Sequence, residues 1–403
     1  MEINNKLIDL LDRLENIEKS RGKIFESRAY SKANEALVNY NKPIKSLQEI
    51  KGLKNIGTKI FKKFEDFLKT NTLPMLENAK NDPILLFYNV YGIGPKKALE
   101  LVEKDKLTTI QDLREHPELL NDKQKIGLKY YEEILERIPR EEIEEYLKEL
   151  TKIFKTVSSG DDFFEIVGSY RRGSKTSGDI DIILSNKKNN REILDKFINK
   201  LKDKNILIEI LSKGKTKSLT IARLKPQYTA RRIDFMYSPP DEFSFATLYF
   251  TGSKNFNVVQ RKIANDNNLT LNEHGLYHFT SKKEKLHKID SHFPDEKSIF
   301  DYLNMVYKQP HERKDGRDAI IKEPTNQIKK QSLKSADKQS KSKKKTLKNL
   351  KNYEKLKKYS KKKKIIDRWD EFKTTGITAV KGYSEKDIYN MLKLASEIYY
   401  NEK

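Results

Sequence analysis

Apolar positions change period along this chain. Ile3, Leu7, Leu10, Leu11 and Leu14 recur at helical spacing, and a second helix is predicted over Phe25–Tyr40, stopped by Pro43. Leu53–Ile60 (L-K-N-I-G-T-K-I) interrupts the pattern before Phe61, Phe64, Phe67 and Leu68 restore it. Val90–Ala98 (V-Y-G-I-G-P-K-K-A) interrupts again, and Ile110–Tyr131 continues as helices. After a charged helix over Arg140–Phe154 the spacing becomes that of strands, predicted over Phe163–Gly168, Ile180–Leu184, Ile206–Leu211, Leu219–Leu224 and Arg231–Tyr237, with a helix over Arg191–Leu201. Helices first, then helix and strand interleaved, predict an α+β chain: an all-helical N-terminal part, a mixed sheet, and a smaller C-terminal unit.

Both interruptions read as hairpins between helices. Such a turn needs a residue at positive φ; Gly57 serves in the first, where Asn55 is the non-glycine type that best tolerates it, and Gly92 and Gly94 fit the second. Pro95 opens the helix that follows. A helix-hairpin-helix turns backbone amides at a helix N-terminus toward a phosphate, and Lys96 and Lys97 add charge. Two copies point to a sequence-independent grip on a DNA backbone, positioning without reading bases.

Charge strengthens that reading. The 403 residues hold 82 Lys and Arg against 59 Asp and Glu, a net charge of +23 that favours a polyanionic partner. Lys329–Lys364 carries 17 lysines against Asp337 and Glu354, the composition of a disordered tail that binds polyanions loosely. Its run Lys361–Lys364 fits a nuclear address as well as DNA contact, and Ile365–Tyr400 recovers enough apolar residues for a small helical unit. The chain has no cysteine, which excludes disulfides and thiolate chemistry. No apolar run reaches the length of a membrane span, and Met1–Leu14 is an amphipathic, acid-containing start unlike a signal peptide. The expected divisions are 1–80, 81–140, 141–240, 241–313, a Lys-rich linker 314–364 and a helical unit 365–403.

The chemistry concentrates in Gly168–Leu184, G-S-Y-R-R-G-S-K-T-S-G-D-I-D-I-I-L. On a strand, Asp179 and Asp181 face one side and Ile180 and Ile182 the other. Two carboxylates so placed repel unless a cation lies between them, and hard oxygen ligands suit Mg²⁺, whose remaining ligands come from water and substrate phosphates. Ser169, Arg172, Ser177 and the Gly178 backbone are placed to bind phosphate oxygens. Asp234, between Ile233 and Phe235, offers a third acid; if its strand lies beside the first, the three suit two divalent ions about 4 Å apart in phosphoryl transfer. Tyr249 and Phe250 precede a Gly turn where they either wall a sugar and base or pack in a core. Asn257 and Arg261, at i and i+4, share a helix face.

These motifs together resemble the family X DNA polymerases, closest to the polymerase beta branch with some lambda-like features. The likeness covers residues 3 to about 313 and rests on G-S-Y-R-R-G…S-G-D-I-D, L-S-K-G-K-T-K, R-R-I-D, L-Y-F-T-G-S, I-G-L-K-Y, R-I-P-R-E-E and I-F-D-Y. It implies a helical lyase-like domain followed by a nucleotidyltransferase palm and a small α/β C-terminal subdomain, acting in gap-filling base excision repair. It implies Asp179, Asp181 and Asp234 as ligands of two Mg²⁺ ions (Mn²⁺ as a substitute), with Asp234 accepting the primer 3′-hydroxyl proton. Arg140, Ser169, Arg172, Ser177 and Gly178 would hold the triphosphate. Tyr249, Phe250, Gly252 and Asn257 would line sugar and base, and Arg261 would touch the template minor groove. Gly57, Lys59, Gly92, Gly94, Lys217 and Arg232 would contact DNA, and hairpin carbonyls including Val90 and Ile93 would hold Na⁺ or K⁺. Lys63 stands where the family's lyase domain forms a Schiff base with 5′-deoxyribose phosphate, its amine made more nucleophilic by Lys59 and Lys62.

The substrates implied are gapped or nicked DNA and deoxynucleoside triphosphates, with DNA ligase or other repair proteins as further partners, no membrane, and a monomeric state. The implied location is the nucleus or wherever the genome is handled, a virion or cytoplasmic replication site included. Three positions depart from polymerase beta. Glu26 replaces a phosphate-binding lysine, which weakens the case for lyase activity. Met236 replaces an arginine that pairs with a metal-binding Asp in the inactive form, and Asn272–Leu276 (N-E-H-G-L) is lambda-like. Two other readings stay open: a DNA-end binding scaffold, and an untemplated nucleotidyl transferase.

Overall fold

The computed structural model describes residues 2–278 and 287–322. The expected helical unit 365–403, the run Lys361–Lys364 and most of the Lys-rich linker lie outside the described residues. The folded unit itself runs through Lys322, past the expected start of that linker at 314. The amides of Val306 and Lys322 donate to the carbonyls of Ile320 and Asn304 at 2.8 Å, which ties the segment back onto the fold.

The N-terminal helices form because their apolar stripes face one another. Helix α1 (Ile3–Ser20) buries Leu7, Leu10, Leu11, Leu14 and Ile17 against Tyr30, Ala33 and Leu37 of α2 (Ile24–Val38). Phe64 and Phe67 of α3 (Thr58–Thr70) and Leu76 of α4 (Pro74–Ala79) complete that core. Phe25, which sits in the apolar stretch opening α2, is 83% exposed. The first hairpin differs from expectation in one detail. Asn55 takes the positive φ (71°), whereas Gly57 is extended at −79° and caps α3. An Asn in left-handed backbone is sterically tolerable because its short side chain bonds locally, so Gly57 is left to the cap.

Helices α5 (Pro83–Tyr88), α6 (Pro95–Glu103), α7 (Ile110–Glu115), α8 (Asp122–Lys129) and α9 (Tyr131–Leu135) enclose a second core around Phe87, Val90, Ile93 and Leu101. Its hairpin repeats the first: Gly92 takes φ 87°, Gly94 caps α6, and Pro95 is the first helical residue. Helix α8 crosses this hairpin at Gly127, where a Cβ would lie 2.2 Å from the Tyr91 carbonyl oxygen. Only glycine permits that approach.

Strand β1 (Ile138–Pro139) leads into α10 (Arg140–Lys155), then β2 (Asp162–Ile166), the short helix α11 (Gly168–Arg171), β3 (Thr176–Ser177) and β4 (Ile180–Asn186). Helix α12 (Glu192–Asp203), β5 (Leu207–Lys213), β6 (Lys217–Ala222) and β7 (Arg231–Tyr237) follow. Five strands make a mixed sheet in the order β2-β4-β7-β6-β5, with β4 and β7 parallel and the other neighbours antiparallel. Ile180, Ile182, Ile233 and Phe235 face a core shared with Tyr146 and Leu150 of α10 and Phe197 of α12. The opposite face carries the acids and packs Ile183 and Met236 against Phe243, Ala246 and Phe250.

The C-terminal unit comprises α13 (Phe243–Thr251), α14 (Lys254–Asp266), the antiparallel pair β8 (Leu269–Asn272) and β9 (Gly275–His278), and α15 (Glu296–Tyr302). Phe245, Leu248, Phe256, Ile263, Ile299 and Phe300 form its core. Among the described residues no helix is long and apolar enough to cross a membrane.

Candidate active site

Parallel pairing of β4 and β7 sets Ile180 beside Ile233 and Asp181 beside Asp234. With Asp179 one residue before β4, one carboxylate oxygen from each acid lies within 4.8 Å of the others. The strand expectation therefore holds in both respects: the apolar residues go into the core, and the three acids meet.

Electrostatics at the cluster favour a cation. Burial pushes the Asp181 carboxyl up to about 7, and the charges of Asp179 and Asp234 add to that. Burial also raises Asp234, against the opposing pull of Arg232. Arg232 Nη2 donates to Asp179 Oδ2 at 2.7 Å and to Asp234 Oδ2 at 3.0 Å, while the buried Asp234 Oδ1 has no hydrogen-bond partner. An unpaired buried carboxylate oxygen among three hard oxygen donors fits a divalent ion. Arg232, expected to contact DNA, is here held on the acids. No arginine follows two residues after Asp234, because Met236 at that place packs in the apolar cluster with Phe250.

Gly168 is what lets the Gly168–Ser177 loop close over Asp181. Its φ is 64°, and a Cβ there would lie 2.6 Å from Asp181 Oδ2. The loop after it begins as a helical turn in which Ser169 Oγ donates to Ser177 Oγ at 2.7 Å. Pairing of β1 with β3 sets Ile138 beside Ser177, so Arg140 begins α10 next to the same loop. Its guanidinium stacks on the Tyr170 ring at 4.2 Å and donates to the Tyr170 carbonyl at 2.8 Å. Arg172 Nη1 donates to the Thr251 carbonyl at 2.5 Å, and burial lowers its pKa. Gly178 lies between Ser177 and Asp179, and a Cβ on it would come within 3.3 Å of Arg137 Nη1. Two cationic and two hydroxyl side chains thus lie on or beside the loop that leads into the acids, and Arg172 acts on the Asp181 carboxyl.

The second wall comes from the C-terminal unit. Tyr249 and Phe250 end α13 with rings edge-to-face at 5.0 Å, and Lys217 Nζ lies 5.2 Å from the Phe250 ring centre. Gly252, at φ 67°, would bring a Cβ within 3.4 Å of Arg172 Nη1. Asn257 Nδ2 donates to the Tyr249 carbonyl at 2.6 Å, leaving its buried Oδ1 without a partner, and Arg261 Nε donates to the Asn257 carbonyl at 3.3 Å.

The lysines of α3 stand apart from this cluster. Lys63 is half-buried and Lys59 exposed. Lys62 is paired with Asp66 at 2.9 Å, which offsets the charge expected to act on Lys63. In the second hairpin the Val90 carbonyl accepts from the Ile93 amide at 3.0 Å and the Gly92 carbonyl from Gln124 Nε2 at 3.1 Å. Tyr91 was read only as part of that hairpin. Burial raises its hydroxyl pKa, the charge of Asp234 adds to that, and Arg232 opposes it.

Acids on one face of a mixed sheet, bordered by a cationic loop and preceded by two helix-hairpin-helix units, have the arrangement of a polymerase beta-type palm. Four family models match in chain order: a helix-hairpin-helix domain over residues 2–73, the fingers domain of DNA polymerase lambda over 85–135, the DNA polymerase beta palm over 137–240 and the DNA polymerase beta thumb over 246–314. The chain is 31% identical over 334 residues to DNA polymerase lambda of Arabidopsis thaliana, covering 77% of this chain and 62% of that one. It is 28% identical over 326 residues to DNA polymerase lambda of Rattus norvegicus (77% and 56%). It is 26% identical over 337 residues to the DNA polymerase type-X family protein pol4 of Schizosaccharomyces pombe (78% and 65%). The chain belongs to family X of the DNA polymerases. It spans about three fifths of the length of these relatives.

Proposed function

We propose that the protein is a template-directed DNA polymerase that fills short gaps in base excision repair. The observation that carries this reading is the β4–β7 register, which brings Asp179, Asp181 and Asp234 together beside the loop of Ser169, Arg172 and Ser177. Two Mg²⁺ ions held by these carboxylates would offset charge on the phosphates and lower the pKa of the primer 3′-hydroxyl. Arg140, Ser169, Arg172, Ser177 and the Gly178 amide hold the triphosphate. Tyr249 and Phe250 pack on sugar and base, the free Asn257 Oδ1 accepts from the nucleotide, and Arg261 reaches the template minor groove. Asp234 takes the proton of the 3′-hydroxyl. The oxygen then bonds to the α-phosphorus as the bond to the β-phosphate oxygen breaks, and pyrophosphate leaves. The two hairpins hold the DNA backbone, with Na⁺ or K⁺ at carbonyls including Val90 and Ile93. Gapped DNA in the nucleus, or wherever the genome is handled, is the natural substrate of such an arrangement.

The test is incorporation on a one-nucleotide gap. The expected result is addition of the complementary nucleotide only. Extension of a single-stranded primer would replace this reading with an untemplated transferase, and binding without extension would replace it with a scaffold.

Lys63 extends the proposal to 5′-deoxyribose phosphate removal. Its amine would condense with the sugar aldehyde, losing water to form an imine; loss of a C2′ proton to water then breaks the C3′–O bond, the 5′-phosphate of the DNA leaves, and hydrolysis of the imine frees Lys63. Borohydride is expected to trap a covalent DNA adduct in the parent protein and none in Lys63→Ala. Absence of an adduct in the parent would remove the lyase step.

A further inference from the structure

Strand β7 breaks its own pattern at its first residue. Ile233, Phe235 and Tyr237 face the core as the alternation requires, and Arg231 faces the same way, 5% exposed. An isolated guanidinium there would be strongly unfavourable, and an apolar residue would serve the core as well. Arg231 is instead matched by a fork: Nε to Glu142 Oε1 and Nη2 to Glu142 Oε2, both at 2.8 Å, with the Glu142 side chain only 14% exposed. Nη1 reaches the Glu136 carbonyl at 3.5 Å.

The two partners sit on the two halves of the site. Arg231 is three residues before Asp234 on β7. Glu142 is two residues after Arg140 in the first turn of α10, whose start borders Ser177 through the β1–β3 pairing. A neighbouring clamp acts on the same strand end: the Ala230 amide donates to Glu133 Oε2 at 2.6 Å, and Arg223 Nη2 reaches both oxygens of that carboxylate at 3.0 and 2.7 Å. One turn along α10, the Tyr146 hydroxyl donates to the Ala222 carbonyl at 3.3 Å and accepts the Leu224 amide at 3.1 Å. Apolar contacts tolerate sliding; a bidentate guanidinium–carboxylate pair fixes distance and angle together.

We propose that Arg231 and Glu142 are positioning residues, which hold the proton-accepting Asp234 at a fixed distance from the triphosphate cradle at Arg140 and Ser177. This rests on the polymerase reading above. The pair sets the alignment of the attacking oxygen and the α-phosphorus without touching substrate. A misplacement of about 1 Å in such an alignment costs roughly a hundredfold in rate.

The discriminating variant removes both charges. Arg231→Met with Glu142→Met leaves no buried unpaired ion, since the Glu136 carboxylate that also lies 3.6 Å from Arg231 Nη1 is 60% exposed, so its melting temperature should equal or exceed that of the parent. Single-turnover incorporation on gapped DNA at saturating nucleotide should nevertheless fall by roughly a hundredfold, with the dissociation constants for nucleotide and DNA unchanged. Arg231→Lys, which keeps the charge and loses the fork, should fall between the two and provides the same test if the double variant does not fold. A folded variant of either kind with the parent's single-turnover rate overturns the proposal while leaving the polymerase reading standing. A parent protein that incorporates nothing overturns both.

Discussion

Asp234→Asn should lower templated incorporation by roughly 10²–10⁴-fold and leave the fold intact, as read by single-turnover kinetics and thermal melting. The substitution keeps the shape of the side chain and removes two functions at once. The amide takes no proton from the 3′-hydroxyl, and the cluster loses one of three negative charges. Stability should not suffer. Asp234 and Asp181 are buried among like charges, both with raised pKa values, so neutralising one relieves repulsion. Arg232 keeps its bond to Asp179. Nucleotide addition by Asp234→Asn at the parent's rate would remove Asp234 from the chemistry.

The second large effect lies away from the acids. Arg313 is fully buried; its Nη1 donates to Glu296 Oε1 at 2.6 Å, and its guanidinium lies 5.3 to 5.9 Å from the ring centres of Phe256, Phe300 and Tyr307. Glu296 also accepts from Arg171 Nη2 at 2.9 Å, and Arg171 donates in turn to Glu165 and to Thr251 Oγ1. The chain of contacts joins the loop after Gly168, the end of α13 and the start of α15. Arg313→Ala should cost about 3–5 kcal/mol, because it leaves Glu296 buried with half its partners and opens a cavity among three rings. For a unit of this size that is a fall in melting temperature of about 4–7 °C.

The same network gives a pH dependence. Burial works to raise the Glu296 carboxyl, but Arg313 and Arg171 outweigh it and hold the group below its usual range. A carboxylate with a lowered folded-state pKa stabilises the protein above its unfolded pKa and loses that contribution as pH falls through the folded value. The stability gap between parent and Arg313→Ala should therefore be full at neutral pH and shrink in acid. A gap that stays constant from neutral pH down through the carboxylate range would contradict the assignment.

Much of the catalytic sheet was legible in the sequence, because strand alternation records which face each residue takes. Ile180 and Ile182 alternate with Asp181, and Ile233 and Phe235 flank Asp234, so the core face and the acidic face followed directly. The hairpins were legible as hairpins, but the positive φ fell on Asn55 where glycine was expected, since Asn and Gly both admit that backbone. What periodicity does not carry is partnership across distance. Arg231 stood in the sequence only as part of the R-R-I-D run, and only the packing of α10 on β7 reveals Glu142 beside it. No motif or period singles out Arg313 or Glu296, which lie 17 residues apart and meet only in the folded C-terminal unit. Lys62 looked like a free cation near Lys63 until α3 set Asp66 four residues along the same face.

The central claim is that Asp179, Asp181 and Asp234 share bound divalent ions at a primer terminus. The most direct measurement is a crystal structure with gapped DNA, a non-hydrolysable nucleotide and Mn²⁺, read by anomalous scattering. The account predicts two Mn²⁺ peaks among these three carboxylates, between the primer 3′ end and the triphosphate, with Arg232 withdrawn from the acids. Peaks elsewhere, or a cluster that keeps Arg232 and holds no metal while DNA and nucleotide are bound, would contradict it.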